Sequence, residues 1–339
     1  MKFFTIIIFI LFIIPNYAQE TNKAGTTAAQ FLKIGVGAGS LGMAGASVGL
    51  VNDVSSMYWN PAGLAEVNSI SVLASYTDWF VDLKHQYFGI VLPVSDDHKF
   101  GVSAAILTMG EMEITTEQQP KGTGDFFEAS DVMVGLTYSA RLVDFFSFGI
   151  SVKYITQNIY NETASALAVD IGTNLKTGYK GIKVGMALTN FGTAMTLAGR
   201  DLQKTYDPNP NNATNVGIAS NLKTESWELP VNFRVGIGWD LMGTGDVMMY
   251  DQTHSIKIGI DGNHPNDGPE NASIGIEYKW QNLIALRSGY YFNDDVRKLS
   301  LGFGLNWEVP QSFVIGVDYA YADLDRLGAV HSISLKVGF

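Results

Sequence analysis

From Ser69 to the C-terminus, apolar and polar residues alternate with a period of two. In the run Leu299 to Trp307, Leu299, Leu301, Phe303, Leu305 and Trp307 fall on one phase and Ser300, Gly302, Gly304 and Asn306 on the other. Successive strand side chains point to opposite faces, so this run predicts a strand with one apolar face and one small or polar face. Phe313, Ile315, Val317, Tyr319 and Tyr321 repeat the pattern opposite Gly316 and Asp318. Ile333, Leu335, Val337 and Phe339 repeat it opposite Ser332, Ser334 and Lys336. Read along the chain, the alternation predicts strands at 69–79, 82–92, 99–109, 131–142, 146–158, 166–177, 182–192, 229–241, 248–261, 271–280, 283–293, 298–308, 312–322 and 329–339. Their lengths sit near the roughly 9–11 residues that a tilted strand needs to cross a bilayer.

The connections sharpen this picture. Outer-membrane barrels join their strands by short periplasmic turns and longer outer loops. If the first strand runs outward, the even-to-odd connections are short, including 93–98, 143–145, 242–247 and 281–282. The two long insertions, Gly110 to Ser130 and Gly192 to Glu228, both fall on odd-to-even connections. An even strand count places both termini in the periplasm. The expected fold class is therefore all-β, a transmembrane antiparallel β-barrel of about fourteen strands, because closure leaves no unpaired backbone edge in lipid.

Ahead of the strands the pattern changes. Lys2 followed by the apolar run Phe3 to Ile14, then Pro15-Asn16-Tyr17-Ala18, has the layout of a cleaved secretory signal. It is shorter than the roughly 20 residues of a membrane helix. Phe31 to Leu64 is rich in Gly, Ala and Ser and lacks alternation, which predicts short helices and turns. The expected organisation is a signal at 1–18, an N-terminal segment at 19–68 forming a luminal plug, and a barrel at 69–339.

Composition agrees with a membrane barrel. Charged residues make up 16% of the 339, against about 25% in soluble domains, with 36 Gly, 19 Phe and 15 Tyr in their place. A soluble β-sandwich is the alternative that composition alone leaves open. The net charge of −11 without a basic stripe argues against nucleic acid, whose phosphates need clustered cations. The absence of cysteine excludes a disulfide framework and a lipoprotein anchor.

Several letter patterns suggest enzymes without their context. Gly37-Ala-Gly39-Ser-Leu-Gly42 has dinucleotide-fingerprint spacing but no βαβ unit around it. Gly45-Ala-Ser47-Val-Gly49 has nucleophile-elbow spacing but no strand-to-helix turn. The five histidines form no zinc set. The oxygen-rich stretches Asp207 to Asn211 and Asp261 to Asp267 lack the spacing of a calcium loop, and their composition is that of turns. No catalytic residue, cofactor site or metal site is expected.

The most informative stretch is Asn52-Asp53-Val-Ser-Ser-Met-Tyr-Trp-Asn60-Pro61-Ala62-Gly63-Leu64-Ala65, which follows Gly42-Met-Ala-Gly-Ala-Ser-Val-Gly49. Locally, Asn60-Pro61 predicts a turn, with Gly63 releasing the chain toward the first strand. This segment, set before a barrel, resembles the PorV/PorQ family, FadL-like outer-membrane proteins of Bacteroidetes. The resemblance spans nearly the whole chain and rests on Asp53, Asn60, Pro61, Ala62 and Gly63; it leaves the PorV-like and PorQ-like branches open. It implies a non-enzymatic barrel that binds secreted proteins through their C-terminal signal domains. Such a barrel would shuttle them between the translocon and the attachment complex of type IX secretion. The terminal Phe339 resembles the signal read by the barrel-assembly machinery. Expected partner contacts on the outer loops are Phe126, Phe127, Tyr206 and Trp227, since exposed aromatics mark interfaces. The competing reading is a FadL-type transporter of long-chain fatty acids or other hydrophobic molecules, which would need an apolar luminal cavity.

Overall fold

The computed structural model describes residues 23–208, 217–309 and 312–339. The expected signal at 1–18 and part of the Asp207 to Asn211 stretch lie outside the described residues. Fourteen long strands form a closed antiparallel barrel. They are β1 (Ser71–Asp78), β2 (Lys84–Pro93), β3 (His98–Thr108), β4 (Ala129–Val143), β5 (Phe146–Ile159), β6 (Glu162–Lys176), β7 (Ile182–Gly192), β8 (Asn232–Gly243), β9 (His254–Pro265), β10 (Asn271–Trp280), β11 (Ile284–Phe292), β12 (Leu299–Val309), β13 (Phe313–Asp323) and β14 (Ala329–Gly338). Each pairs with its neighbours in sequence. The seam is an eight-residue antiparallel ladder between β1 and β14, from Ser71↔Gly338 to Asp78↔His331.

The apolar phase faces outward. Leu299, Leu301, Phe303, Leu305 and Trp307 on β12 are exposed, as are Ile333 and Leu335 on β14 and Phe88 on β2. The inward phase carries Ser75, Ser103, Thr137, Ser139, Ser151, Lys153, Asp170, Arg287 and Asp318, all buried. A wall that is apolar outside and polar inside is what lipid on one side and a filled lumen on the other demand.

The segment ahead of β1 packs against the inward faces of the strands. It folds as a 3₁₀ turn (Gln30–Lys33), two single-turn α-helices (Ala38–Leu41 and Ser56–Trp59) and a 3₁₀ helix (Pro61–Glu66). Glycines on the inward faces of successive strands let its backbone lie flush against the wall. A Cβ at Gly149 on β5 would stand 2.3 Å from the Pro61 carbonyl carbon, and one at Gly259 on β9 would stand 2.0 Å from the Ala46 oxygen. Several of these glycines are cross-strand partners, such as Gly149↔Gly172, Gly185↔Gly236, Gly259↔Gly275 and Gly275↔Gly289. They form a belt of missing side chains around much of the barrel.

Beyond shifts of a few residues at strand ends, two details differ from the sequence reading. Strand β9 begins at His254, not at 248, because Met249–Tyr250 forms a two-residue parallel bridge with Met242 and Gly243 instead. Asp251 then turns the chain by accepting hydrogen bonds from the Thr253 and His254 amides, each 2.7 Å. The connection expected at 242–247 therefore spans 244–253. Gly63 also does not open the way to β1: it sits inside the 3₁₀ helix, where a Cβ would lie 2.4 Å from the Val51 oxygen. Its role is close approach, and the chain enters β1 only at Ser71.

Candidate functional site

The family motif anchors the N-terminal segment. Asn60 precedes Pro61 in extended backbone (φ −161°), as the ring of a following proline imposes, and caps the 3₁₀ helix. Its fully buried side chain joins three pieces of backbone. Nδ2 donates to the Val48 carbonyl at 2.9 Å and to the Thr173 carbonyl of β6 at 3.0 Å; Oδ1 accepts from the Ala62 amide at 3.2 Å. Pro61 and Ala62 lie against Gly149 and Gly172 of the wall.

Asp53 makes the second anchor. Its Oδ2 pairs with Lys336 of β14 at 2.8 Å, and its Oδ1 accepts from the Ser55 amide at 2.9 Å and hydroxyl at 2.5 Å. Burial pushes the Asp53 carboxyl up, but the Lys336 charge and the Lys336 and Ser55 hydrogen bonds outweigh it, holding the pKa at about 2. The pair continues a chain of alternating charge. Lys336 also meets Asp318 of β13 at 2.9 Å, Asp318 meets Arg287 of β11 at 2.6 Å, and Arg287 meets Glu277 of β10 at 2.7 Å. Buried charges need such partners. The glycine patterns with enzyme-like spacing serve the same packing: Ser47 and Val48 donate their amides to Asp261 Oδ2, and Ala38 donates to Ser334 Oγ.

At the end that carries the long loops, a third tie holds the start of the segment. Asp267, in the β9–β10 turn, accepts from Thr27 (2.6 Å), Gln30 (2.8 Å) and Lys33 (3.0 Å). Burial raises its pKa, and these donors together lower it by more. Beside it opens a cavity of about 240 Å³ between the segment and strands β7 to β11. Its lining is mixed: Asn190, Asn232, Asn263, Asn271, Asn293, Arg234 and Arg297 stand beside Tyr58, Trp59, Tyr291, Leu32, Leu41 and three prolines. Arg297 stacks on Tyr291, 4.4 Å from the ring centre, and pairs with Asp294.

The aromatics expected to meet partners sit on separate short ladders in the long loops. Phe126–Phe127 pairs with Met112–Glu113; Phe126 is exposed, and Phe127 packs edge-on to Tyr160. Tyr206 ends a strand paired with Ile218–Asn221, and Trp227 pairs with Met195; both are exposed. Phe339 is exposed at the opposite end, its amide donating to Ile70.

Residues 17–202, more than half of the chain, match the family described as "Type IX secretion system protein PorV". The chain belongs to the PorV family. Type IX secretion follows from that membership. Among solved structures the PorV-family chain is similar to TodX, a toluene transporter of Pseudomonas putida, at 11% identity and a TM-score of 0.57. That match covers 90% of this chain and 96% of TodX. It is also similar to TbuX, a toluene transporter of Ralstonia pickettii, at 11% identity and TM-score 0.53, covering 90% and 97%. A FadL homologue of Pseudomonas aeruginosa matches at 12% and 0.51, covering 88% and 97%. At such identities the likeness establishes the FadL-like outer-membrane barrel fold and no ligand. No curated protein sequence matches the chain.

Within this PorV-family barrel the motif residues Asp53, Asn60, Pro61 and Ala62 meet the wall, while Gly63 packs against Val51 and Ser56 within the segment. The loop aromatics and Phe339 do not join them. Sequence reasoning missed Lys336, Asp318, Arg287 and Arg234. Their only signal was a single charge on an otherwise small, polar strand phase. Among the described residues no group of three or more His, Asp or Glu is placed to hold a metal.

Proposed function

We propose that this barrel is a non-enzymatic carrier of type IX secretion that binds secreted proteins by their C-terminal signal domains. It receives them from the translocon and delivers them to the attachment complex. The family match over 17–202 carries this reading. A lumen packed with protein along a belt of glycines also suits a carrier, which works at its surface, better than an open pore. Residues 1–18 act as a cleaved signal, 19–68 as a plug, and both termini lie in the periplasm, so that the long loops face outward. In this reading Phe126, Phe127, Tyr206 and Trp227 form the contact surface, and Phe339 directs insertion by the barrel-assembly machinery. The toluene transporters and the FadL homologue that share the fold suggest transport of hydrophobic molecules as an alternative. That function needs an apolar cavity, whereas the cavity beside Arg234 mixes leucine, proline and aromatic side chains with amides and charges. The test is a pull-down of secreted proteins with a Tyr206→Ala, Trp227→Ala double variant. Loss of cargo from a correctly inserted barrel is expected; full retention would remove these loops from the contact surface.

A further inference from the structure

Arg234, on the inward face of β8, is buried yet makes no direct ion pair. Among the described residues no carboxylate oxygen lies within 4.0 Å of its guanidinium, although every other buried arginine or lysine that faces this region is paired or bonded. Its contacts are a 3.5 Å hydrogen bond to the Tyr58 carbonyl and the faces of the Tyr58 and Trp59 rings, each 5.1 Å from the ring centre. Asp261 of the neighbouring strand β9 gives its Oδ2 to the Ser47 and Val48 amides, and its buried Oδ1, which has no hydrogen-bond partner, lies beyond ion-pair distance of Arg234. A buried cation without an anion is costly, and Arg234 faces the 240 Å³ cavity that opens toward the long loops. Two positions earlier on the same face, Asn232 also lines that cavity, and its buried Oδ1 has no hydrogen-bond partner. The other cations around it are paired, Lys33 with Asp267 and Arg297 with Asp294, and Asp295 is a further acid on the lining.

An unpaired guanidinium asks for a carboxylate, and an orphaned amide oxygen two residues away asks for an N–H donor. One chemical group offers both at that spacing, the free C-terminus of a polypeptide with its last backbone amide. We infer that this cavity binds a chain-terminal carboxylate presented from the long-loop side, with Arg234 taking the carboxylate and Asn232 the amide. Identifying that terminus as the end of a cargo signal domain rests on the proposed function; the site itself does not.

The probe is N-acetyl-glycyl-glycine, as free acid and as C-terminal amide, titrated by ligand-observed NMR into the full chain in detergent micelles. Acetate serves as the small-carboxylate arm. A charge-assisted bond contributes roughly ten- to a hundredfold in affinity. The acid is therefore expected to bind at least about tenfold tighter than the amide and than acetate. Arg234→Gln should reduce the acid to the level of the amide. Asn232→Asp, which supplies an internal carboxylate, should abolish acid binding even if Arg234→Gln fails to fold. Equal binding of acid and amide, or no effect of Asn232→Asp, overturns the site. Acetate binding as tightly as the acid peptide overturns its assignment to a chain terminus. If cargo never copurifies but the acid is preferred, only the shuttle reading falls; if cargo copurifies and acid equals amide, only this site falls.

Discussion

Replacing Asn60 by alanine should loosen the N-terminal segment, the proposed plug, while leaving the barrel intact. The substitution removes two donors and one acceptor from a position with no solvent access, leaving the Val48 and Thr173 carbonyls and the Ala62 amide short of a partner. An orphaned buried group costs about 1–3 kcal/mol. Carbonyls retain a second lone pair, and neighbouring losses are not additive, so a total of about 2–5 kcal/mol is expected. At about 1.4 kcal/mol per factor of ten, local opening of the plug becomes roughly thirtyfold to several-thousandfold more frequent. Amide hydrogen exchange in micelles reads this directly, since protection reports local opening. The informative amides are Leu50 and Val51, bonded to the Ser47 carbonyl, and Gly63, bonded to the Asn60 carbonyl. Their protection should fall by that factor while the β1–β14 seam keeps its own. Unchanged protection at Leu50, Val51 and Gly63 would refute the view that Asn60 ties the plug to β6.

Three further outcomes follow from the same geometry. Gly259→Ala should displace the plug, because its Cβ would meet the Ala46 oxygen at 2.0 Å, whereas Gly262→Ala, whose nearest neighbour is 4.0 Å away, should change stability by less than about 0.5 kcal/mol; thermal melts of the two variants decide. Asp53 has a folded pKa of about 2 against an unfolded value of about 3.9. Its contribution is therefore complete above about pH 4 and lost as pH falls toward 2. Exchange of plug amides should rise across that window, and Asp53→Asn should flatten the rise. Deleting Phe339 removes one backbone hydrogen bond, to Ile70, from a seam whose eight-residue ladder stays intact. The purified barrel should keep its melting temperature while the fraction inserted in the outer membrane drops; a normal inserted fraction would remove the assembly role from the C-terminus.

The barrel was legible because each strand has a wet and a dry face, and a period of two survives any detail of pairing. Strand β7 at 182–192 and β10 at 271–280 coincide with the alternation to the residue. The start of β9 was not legible, because Met248-Met249-Tyr250 continues the apolar run while the turn around Asp251 ends it. Strand β6 starts at Glu162, earlier than expected, because polar Thr163 and Ser165 pair with β5 as readily as apolar residues do. The motif at 53–63 stood out as a pattern, but its partners did not. Asp53 meets Lys336 and Asn60 meets Thr173 only once the barrel has closed, and nothing in one sequence links positions so far apart. The glycine belt appeared only as a composition of 36 Gly; that these glycines face one another across strands follows from register. Arg234 looked like any inward charge, and its lack of a direct ion pair is a fact of three dimensions.

The measurement that bears most directly on the carrier role is purification of the mature barrel from native outer membranes in mild detergent, with mass spectrometry of everything that accompanies it. Secreted proteins that share a C-terminal domain, or translocon components, are the expected companions. A barrel that arrives without protein partners but carries fatty acid or another apolar ligand would contradict the account and favour transport.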